Sequence, residues 1–161
     1  MKVRVNDTEG YLPVSGNATV KQVTEDEIAE VQQDALESSN SYKRQQVVDY
    51  ALQFVGGRYK YGGSDPRTGV DCSGFTRYVL QNSAGIGMNR SSGGQASQGV
   101  AIGADQMQPG DLLFYGSGRG INHVAMYIGN GQIVHASTER TGIKVSNATY
   151  RTPVKVVRVL N

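Results

Sequence analysis

The alternation of apolar and polar residues divides the chain into a helical first part and a strand-rich second part. Up to about residue 80, apolar side chains recur mainly at three- and four-residue spacings, which mark one face of a helix. Beyond residue 110 the period changes to two, which predicts strands at 112–115, 121–128, 132–136, 143–146 and 154–160. Helices followed by antiparallel strands predict an α+β domain in which N-terminal helices pack on a central sheet.

Two amphipathic helices are predicted in the part of the chain before Cys72. Thr24 and Glu27 form a capping box, which predicts a helix start there. The apolar face of this helix consists of Ile28, Val31, Ala35 and Leu36. A second helix is predicted from residue 43 to about 55 and is stopped by two glycines; its apolar face consists of Val47, Val48, Ala51, Leu52 and Val55. The polar stretch 38–41 between them is predicted to be a linker, which gives an N-terminal extension at 1–41 and a main domain at 42–161.

The first residues show the pattern of a small hairpin. Val3 and Val5 alternate with polar residues, the stretch 6–10 carries turn residues, and the apolar stretch 11–14 follows. The chain start lacks the apolar stretch of a signal peptide. Residues 1–14 therefore predict two short strands, and two expectations stay open: the protein stays inside the cell, or its signal lies outside this sequence.

Composition and charge exclude several classes of protein. Hydrophobic residues make up 38% of the 161 residues and charged residues 19%, and no apolar run approaches the roughly 18 residues of a membrane span. Residues 1–42 carry three Lys or Arg against eight Asp or Glu, a net charge of −5, and residues 43–161 carry thirteen against six, a net charge of +7. The basic residues are scattered and have few aromatic neighbours, so nucleic-acid binding is only weakly supported. An ordinary basic domain and a domain that acts on a polyanion, such as a wall polymer, both fit this charge.

The single cysteine, Cys72, lies in an unusual place for a packing residue. One cysteine excludes an internal disulfide and any zinc site with two thiolates. The spacing of Phe75, Tyr78 and Val79 predicts a helix with Asp71 as its N-cap, which puts Cys72 in the first turn. A helix N-terminus favours the thiolate, whereas the Asp71 carboxylate opposes it. A lone cysteine is usually a small buried apolar residue, but its polar neighbours favour a nucleophile.

The two histidines fall in strands that one tight turn separates. His123 precedes the Gly-Asn-Gly turn at 129–131 by six residues, and His135 follows it by four, so the rings can be neighbours across the ladder. His135 could then hold the far nitrogen of His123 while the near nitrogen faces Cys72. Two structural histidines, or half of a metal site without an evident third ligand, also fit this spacing.

A set of ordered motifs resembles the NlpC/p60 family of papain-like peptidoglycan endopeptidases. The motifs are RYKYGG at 58–63, DCSGF at 71–75, PGDLLF at 109–114, HVAMYIG at 123–129 and IVHA at 133–136. They occur in the family's order over about residues 43–160. The resemblance implies the papain-like fold, with the nucleophilic cysteine at the N-terminus of a helix packed on the sheet.

The resemblance also implies a role for each matching residue. Cys72 corresponds to the nucleophile, His123 to the general base and His135 to the third, orienting residue. Tyr59 corresponds to a tyrosine whose hydroxyl helps to stabilise the oxyanion together with the N–H of Cys72. The candidate substrate-binding residues are Asp71, Ser73, Arg90 and Ser91. Asp71 serves first as helix cap and second as a receptor for a substrate amine, and Tyr61 and Tyr127 are expected in the cleft wall or core.

The implied reaction is hydrolysis of the γ-D-glutamyl bond to a diamino acid, diaminopimelate or lysine, in peptidoglycan stem peptides. It proceeds through a thioester and requires no metal or cofactor. The expected partner is the stem peptide alone, without nucleic acid or membrane insertion, and the expected state is a monomer in the cell wall or outside the cell. A papain-like amidase or acyltransferase on the same scaffold is the nearest alternative, and a silent wall-binding module is a further one.

The N-terminal extension does not match this family. Its hairpin, with Gly10 and Tyr11, is similar to the closing strands of a small Src-homology-3-type barrel, a frequent companion of these enzymes. About twenty residues are too few for a complete barrel. The corresponding hypothesis is that the chain is a piece of a longer protein whose other part supplies targeting.

Overall fold

The computed structural model describes residues 2–4, 7–9 and 25–160. The chain divides into two compact units, Met1–Ser39 and Asn40–Asn161. Within the described part, no helix combines the length and the apolar character needed to cross a membrane.

The first unit contains a hairpin of β1 (Lys2–Arg4) and β2 (Asp7–Glu9), which pair antiparallel with Val3 opposite Thr8. The predicted hairpin is therefore present, but its second strand lies in the stretch expected to be the turn. Strand pairing uses backbone groups, which polar residues supply as well as apolar ones do. The predicted strand at 11–14, the barrel resemblance that includes it, and the Thr24 cap lie outside the described residues.

Helix α1 runs without interruption over Glu25–Leu52, so the predicted linker at 38–41 is wrong as a break between two helices. Ser and Asn each weaken a helix by only about 0.5 kcal/mol relative to Ala, and residues 25–52 contain neither Gly nor Pro. The face predicted for the first helix is not buried at Leu36, whose exposed fraction is 55%. From Val47 to Ala51 the apolar face is buried as predicted, and the helix ends three residues before Val55.

The sheet of the second unit has six antiparallel strands in the order β5-β10-β6-β7-β8-β9. Its strands are β5 (Val100–Ile102), β6 (Leu112–Ser117), β7 (Gly120–Gly129), β8 (Gln132–Thr138), β9 (Gly142–Asn147) and β10 (Pro153–Arg158). All five predicted strands are present. The edge strand β5 was not predicted, because three residues in a polar stretch are too short to show a period.

Two further helices belong to this unit, α2 (Cys72–Ala84) and α3 (Ser92–Ala96). A short strand pair, β3 (Ser64–Asp65) with β4 (Gly69–Val70), precedes α2, and a 3₁₀ turn, Ala104–Gln106, follows β5. The core between helices and sheet is formed by Val47 and Ala51 of α1, Phe75, Val79 and Leu80 of α2, and Leu112, Phe114, Val124, Met126, Val134 and Ala136 of the strands. The predicted α+β fold, helices packed on an antiparallel sheet, is confirmed.

An ionic network around the buried Asp111 joins α1 to the turn before β6 and to β10. Arg44 donates to Asp111 Oδ1 (3.1 Å) and to the carbonyls of Pro109 and Leu160. Arg158 of β10 binds the same carboxylate at 3.1 and 2.9 Å. Asp111 is fully buried, and these two cations together with the N–H of Gln108 (2.8 Å) offset the loss of its hydration.

Candidate active site

Cys72 is the first residue of α2, in the position that the helix pattern predicted. Asp71 has extended backbone angles, and its side chain accepts the N–H of Gly74 at 2.8 Å, so the predicted N-cap is confirmed. The helix ends at Gly85, whose left-handed conformation (φ 69°) closes the last turn. The thiol of Cys72 is free and partly exposed.

The two histidines lie on adjacent strands, His123 on β7 and His135 on β8. His123 Nε2 is 2.7 Å from His135 Nδ1, and His135 Nε2 is 2.9 Å from Ser146 Oγ on β9. Both rings are buried, with 7% of His123 and none of His135 exposed. The turn between the strands therefore brings the rings together, as the spacing predicted.

The backbone of β7 connects the cysteine to the histidine pair. The backbone amides of Val124, the residue after His123, of Ser73 and of Cys72 itself act on the Cys72 sulfur in the direction that lowers its pKa. His135 engages Nε2 of His123, so Nδ1 is the nitrogen of that ring that His135 leaves open. The site is thus assembled where the first turn of α2 meets the middle of β7.

Burial controls the protonation of all three groups. It raises the pKa of Cys72, assisted by the Asp71 carboxylate, although the three amides at the sulfur act in the opposite direction. Burial, together with His135 and Arg151, lowers the pKa of His123 to about 3. Burial and Lys144 lower the pKa of His135 to about 4. At neutral pH the site therefore holds a neutral thiol beside two neutral imidazoles.

A second polar cluster lies on the other side of the cysteine. Arg90 donates to both oxygens of Asp71 (3.0 and 3.1 Å), to Ser73 Oγ (3.0 Å) and to the carbonyl of Gly63 (2.9 Å). The N–H of Gly62 also reaches Asp71 Oδ2 at 3.0 Å. This cluster fixes the loop before α2 against the first turn of the helix. The Asp71 carboxylate is therefore already paired with the Arg90 guanidinium.

An open cleft of about 480 Å³ contains Cys72. It is lined by Tyr59, Tyr61, Gly62, Asp71, Cys72, Ser73, Arg90, Ser91, Ser92 and Asn122. Six of the eight residues predicted for the site therefore line one cleft, and the two histidines are buried. Another cavity, of about 500 Å³, lies beside β5 and the end of the chain, but it contains no predicted site residue.

Tyr59 lines the same cleft as Cys72, and its backbone pairs with the segment just before α2. It forms an isolated bridge to Val70, just before the cap of α2. Burial first, and then the nearby Cys72 and Asp71, raise the pKa of the Tyr59 hydroxyl, so this group remains an O–H donor at neutral pH. Its partial burial and its place in the cleft fit a donor to an oxygen that becomes negatively charged.

Sequence reasoning missed three residues that shape this site. Tyr150 places its ring 5.1 Å from that of His135 and 6.4 Å from that of His123. Gln95 is fully buried; it accepts from Thr76 and donates to the carbonyls of Ser73 and Asn89, which ties α3 to α2. Ser146 closes the histidine chain. Only Ser146 had a signal, because it lies in a predicted strand next to the one that carries His135.

No group of three or more His, Cys, Asp or Glu side chains is placed to hold a metal ion within the part of the chain that the structure describes.

Comparison with known proteins identifies the family. The model of the NlpC/P60 family matches residues 56–159, so the chain belongs to this family. The domain of the peptidoglycan hydrolase SagA is 38% identical, with a TM-score of 0.67 over 72% of this chain and 98% of that one. The P60 domain of an antigen from M. avium subspecies paratuberculosis is 31% identical, with a TM-score of 0.68 over 76% and 98%.

Curated relatives share the same part of the chain. A "Probable endopeptidase p60" of Listeria innocua is 43% identical over 101 residues, which are 63% of this chain and 21% of that protein. A "Gamma-DL-glutamyl hydrolase" of Bacillus subtilis is 39% identical over 105 residues, 63% of this chain and 25% of that protein. The chain thus corresponds to about a quarter or less of the length of these relatives.

Proposed function

We propose that this protein is a peptidoglycan hydrolase, a cysteine endopeptidase with Cys72 as nucleophile and His123 as general base. The observation that carries the proposal is that Val124 of β7 acts on the Cys72 sulfur, His123 directly precedes Val124 on that strand, and His135 Nδ1 is 2.7 Å from His123 Nε2. A nucleophile, a base and a group that orients the base are the three parts that acyl transfer needs. The relatives named as endopeptidases and as a γ-glutamyl hydrolase support this assignment.

The proposed reaction begins with both reacting groups neutral. His123 Nδ1 takes the thiol proton as the sulfur of Cys72 attacks the amide carbonyl. We assign to His135 Nδ1, which is 2.7 Å from His123 Nε2, the acceptor role that supports the imidazolium as it forms. His123 then gives the proton to the leaving amine, and water hydrolyses the thioester with His123 again acting as base.

The charge that develops on the carbonyl oxygen requires donors already in position. The N–H of Cys72 lies at the N-terminus of α2, where backbone amides have no partner within the helix. The Tyr59 hydroxyl is a second donor in the same cleft, and its raised pKa keeps it protonated. We therefore assign oxyanion stabilisation to these two groups.

The proposed bond is the one between γ-D-glutamate and the diamino acid of the stem peptide. Its D-glutamyl residue carries a free carboxylate, and the polar wall formed by Ser73, Arg90 and Ser91 is assigned to such a group. The hydroxyl of Ser91 accepts from the N–H of Gly94 and keeps its own hydrogen to donate, whereas the terminal nitrogens of Arg90 already bind Asp71, Ser73 and Gly63. Because the Asp71 carboxylate is already paired with Arg90, a contact between Asp71 and a substrate amine has less support than the contacts assigned to the carboxylate. Residues 42–161 form the proposed catalytic domain, and its place of action is the cell wall.

Digestion of purified peptidoglycan and of a soluble stem peptide tests the function. Products of the wild-type protein are identified by mass spectrometry and compared with those of Cys72→Ala and His123→Ala. We expect cleavage after D-glutamate, and a loss of about 10³-fold or more in either variant, as for other nucleophile and base deletions. Cleavage between glycan and peptide would instead identify an amidase. Cleavage that persists in Cys72→Ala would overturn the proposed nucleophile.

A further inference from the structure

Ser146 of β9 is the last group of a hydrogen-bonded chain that begins at the candidate base. Its hydroxyl oxygen is 2.9 Å from His135 Nε2, and His135 Nδ1 is 2.7 Å from His123 Nε2. His135 is fully buried, so it makes both of its ring contacts inside the protein. Each imidazole of a neutral pair carries one hydrogen, and the direction of the hydrogen bond between Ser146 and His135 is linked to the nitrogen on which that hydrogen lies.

Only one of the two possible proton arrangements suits a base at Nδ1 of His123. If Ser146 accepts, His135 carries its hydrogen on Nε2, its Nδ1 accepts from His123 Nε2, and His123 Nδ1 is free to accept. If Ser146 donates, every hydrogen moves by one position, and His123 carries its hydrogen on Nδ1. In that second arrangement the imidazole cannot take a proton from the thiol.

We propose that Ser146 is a positioning residue for the reaction proposed above: its oxygen accepts the Nε2 hydrogen of His135 and so keeps Nδ1 of His123 free as a base. The inference rests on the proposed function, since it assigns a role through His123. It adds a fourth member to the arrangement of Cys72, His123 and His135. Ser146 touches neither the sulfur nor the expected substrate and acts through the two rings.

Several charged or titratable groups act on the same rings and must stay constant in a test. Lys144 lies on β9 beside His135, Arg151 follows β9 and acts on His123, and Tyr115 of β6 and Tyr150 pack against the rings. Cys72 of α2 lies against Val124, the residue after His123. Variants that change only position 146 leave all of these groups in place.

The matched pair Ser146→Thr and Ser146→Val isolates the hydroxyl. Both side chains are β-branched and suit a strand, and they differ mainly in the hydroxyl that Thr keeps and Val replaces by methyl. The full chain is compared with each variant by ring-nitrogen NMR, by alkylation of Cys72 with iodoacetamide as a function of pH, and by kcat and KM on a stem peptide. Circular dichroism and thermal melting establish that each variant is folded.

We expect Ser146→Thr to keep the wild-type tautomers, with alkylation and kcat within about twofold of the wild type. In Ser146→Val we expect the hydrogen of His135 to move to Nδ1. Alkylation at neutral pH and kcat should then fall by about three- to tenfold with KM unchanged, the size of one lost hydrogen bond. A Val variant that equals the Thr variant in tautomer and alkylation would overturn the inference.

Two of these measurements do not depend on the substrate. If no stem peptide is cleaved but tautomer and alkylation change only in Ser146→Val, the proposed reaction fails while the role of Ser146 stands. Ring-nitrogen NMR of the wild-type protein alone also tests the inference, and this test does not depend on whether a variant folds. A hydrogen on Nδ1 of His135 in the wild-type protein would contradict the proposed arrangement directly.

Discussion

At the scale of single residues, burial outweighs the helix N-terminus in setting the protonation of Cys72. Three backbone amides favour the thiolate, yet burial and the Asp71 carboxylate leave the pKa of Cys72 above its ordinary value. The pKa of His123, about 3, means that no imidazolium is present at neutral pH to stabilise a thiolate. The pair that we propose as nucleophile and base should therefore differ from a preformed thiolate–imidazolium ion pair, and the reaction rate of the Cys72 thiol should rise with pH through the neutral range.

We expect alkylation of native Cys72 by iodoacetamide to accelerate by about tenfold per pH unit through the neutral range, because only the thiolate reacts. Its midpoint should lie above that of the same thiol in the urea-unfolded chain, whose pKa is not raised by burial. Rates measured by mass spectrometry from pH 5 to pH 10 check this. A rate that is already constant between pH 5 and pH 8 would show an ion pair and contradict the prediction.

At the scale of secondary-structure elements, α2 depends on close contact with the loop before it. A Cβ added at Gly74 would collide with the carbonyl oxygen of Gly63. That oxygen also accepts from the N–H of Asp71 (3.3 Å) and from Arg90 (2.9 Å). Gly74 is therefore needed for the approach of two backbones, and it holds together the contacts that fix the first turn of the helix.

We expect Gly74→Ala to lower the free energy of unfolding by about 1–3 kcal/mol, the usual effect of overpacking, and to reduce activity with it. Urea unfolding followed by circular dichroism measures the first effect. The control is Gly93→Ala on α3, where a Cβ meets no atom within 4 Å. Because Ala is the better helix former, this control should be neutral or stabilising by up to about 1 kcal/mol. Equal losses in both variants would count against the proposed contact.

The elements also show which parts of the fold a sequence pattern can predict. Strands β6 to β10 were predictable because short runs rich in β-branched and aromatic residues are bounded by turn residues, and α2 because a cap precedes a helical face. The break at 38–41 was wrongly predicted, since weak helix formers without Gly or Pro do not end a helix whose neighbours continue it. Strand β5 and helix α3 are too short to carry a period.

The residues of the candidate site also differ in how far the sequence predicts them. Cys72, His123 and His135 were predictable because nucleophilic and basic side chains are few and their spacing on helix and hairpin is informative. Gln95 and Tyr150 were not, because their roles depend on packing across distant elements. Arg90 was predicted as a substrate contact, and its ion pair with Asp71, nineteen residues away in sequence, could not be foreseen from local pattern.

At the scale of the whole molecule, the site lies at the junction of the helices and the sheet, so its protonation is coupled to folding. His123 and His135 belong to the sheet, and Cys72 belongs to the helix packed on it. Their burial holds the pKa of His123 at about 3 and that of His135 at about 4, against an ordinary value of about 6.5 in the unfolded chain. Between these values the unfolded chain binds more protons than the folded one.

Stability should therefore decrease as the pH falls below about 6.5. Each histidine that is neutral when folded and charged when unfolded contributes a slope of about 1.4 kcal/mol per pH unit to the free energy of unfolding. The pair should give about twice that slope between pH 5 and pH 6, and His135→Asn should reduce it to the contribution of one histidine. Urea unfolding at closely spaced pH values provides the slopes of the wild-type protein and of His135→Asn. The difference between the two slopes cancels the contribution of the carboxylates, which both proteins share. Equal slopes would mean that His135 has the same pKa in the folded and the unfolded chain, so that the fold does not hold it neutral. A His135 that is charged in the folded protein would also contradict the proposed tautomers, in which both rings are neutral.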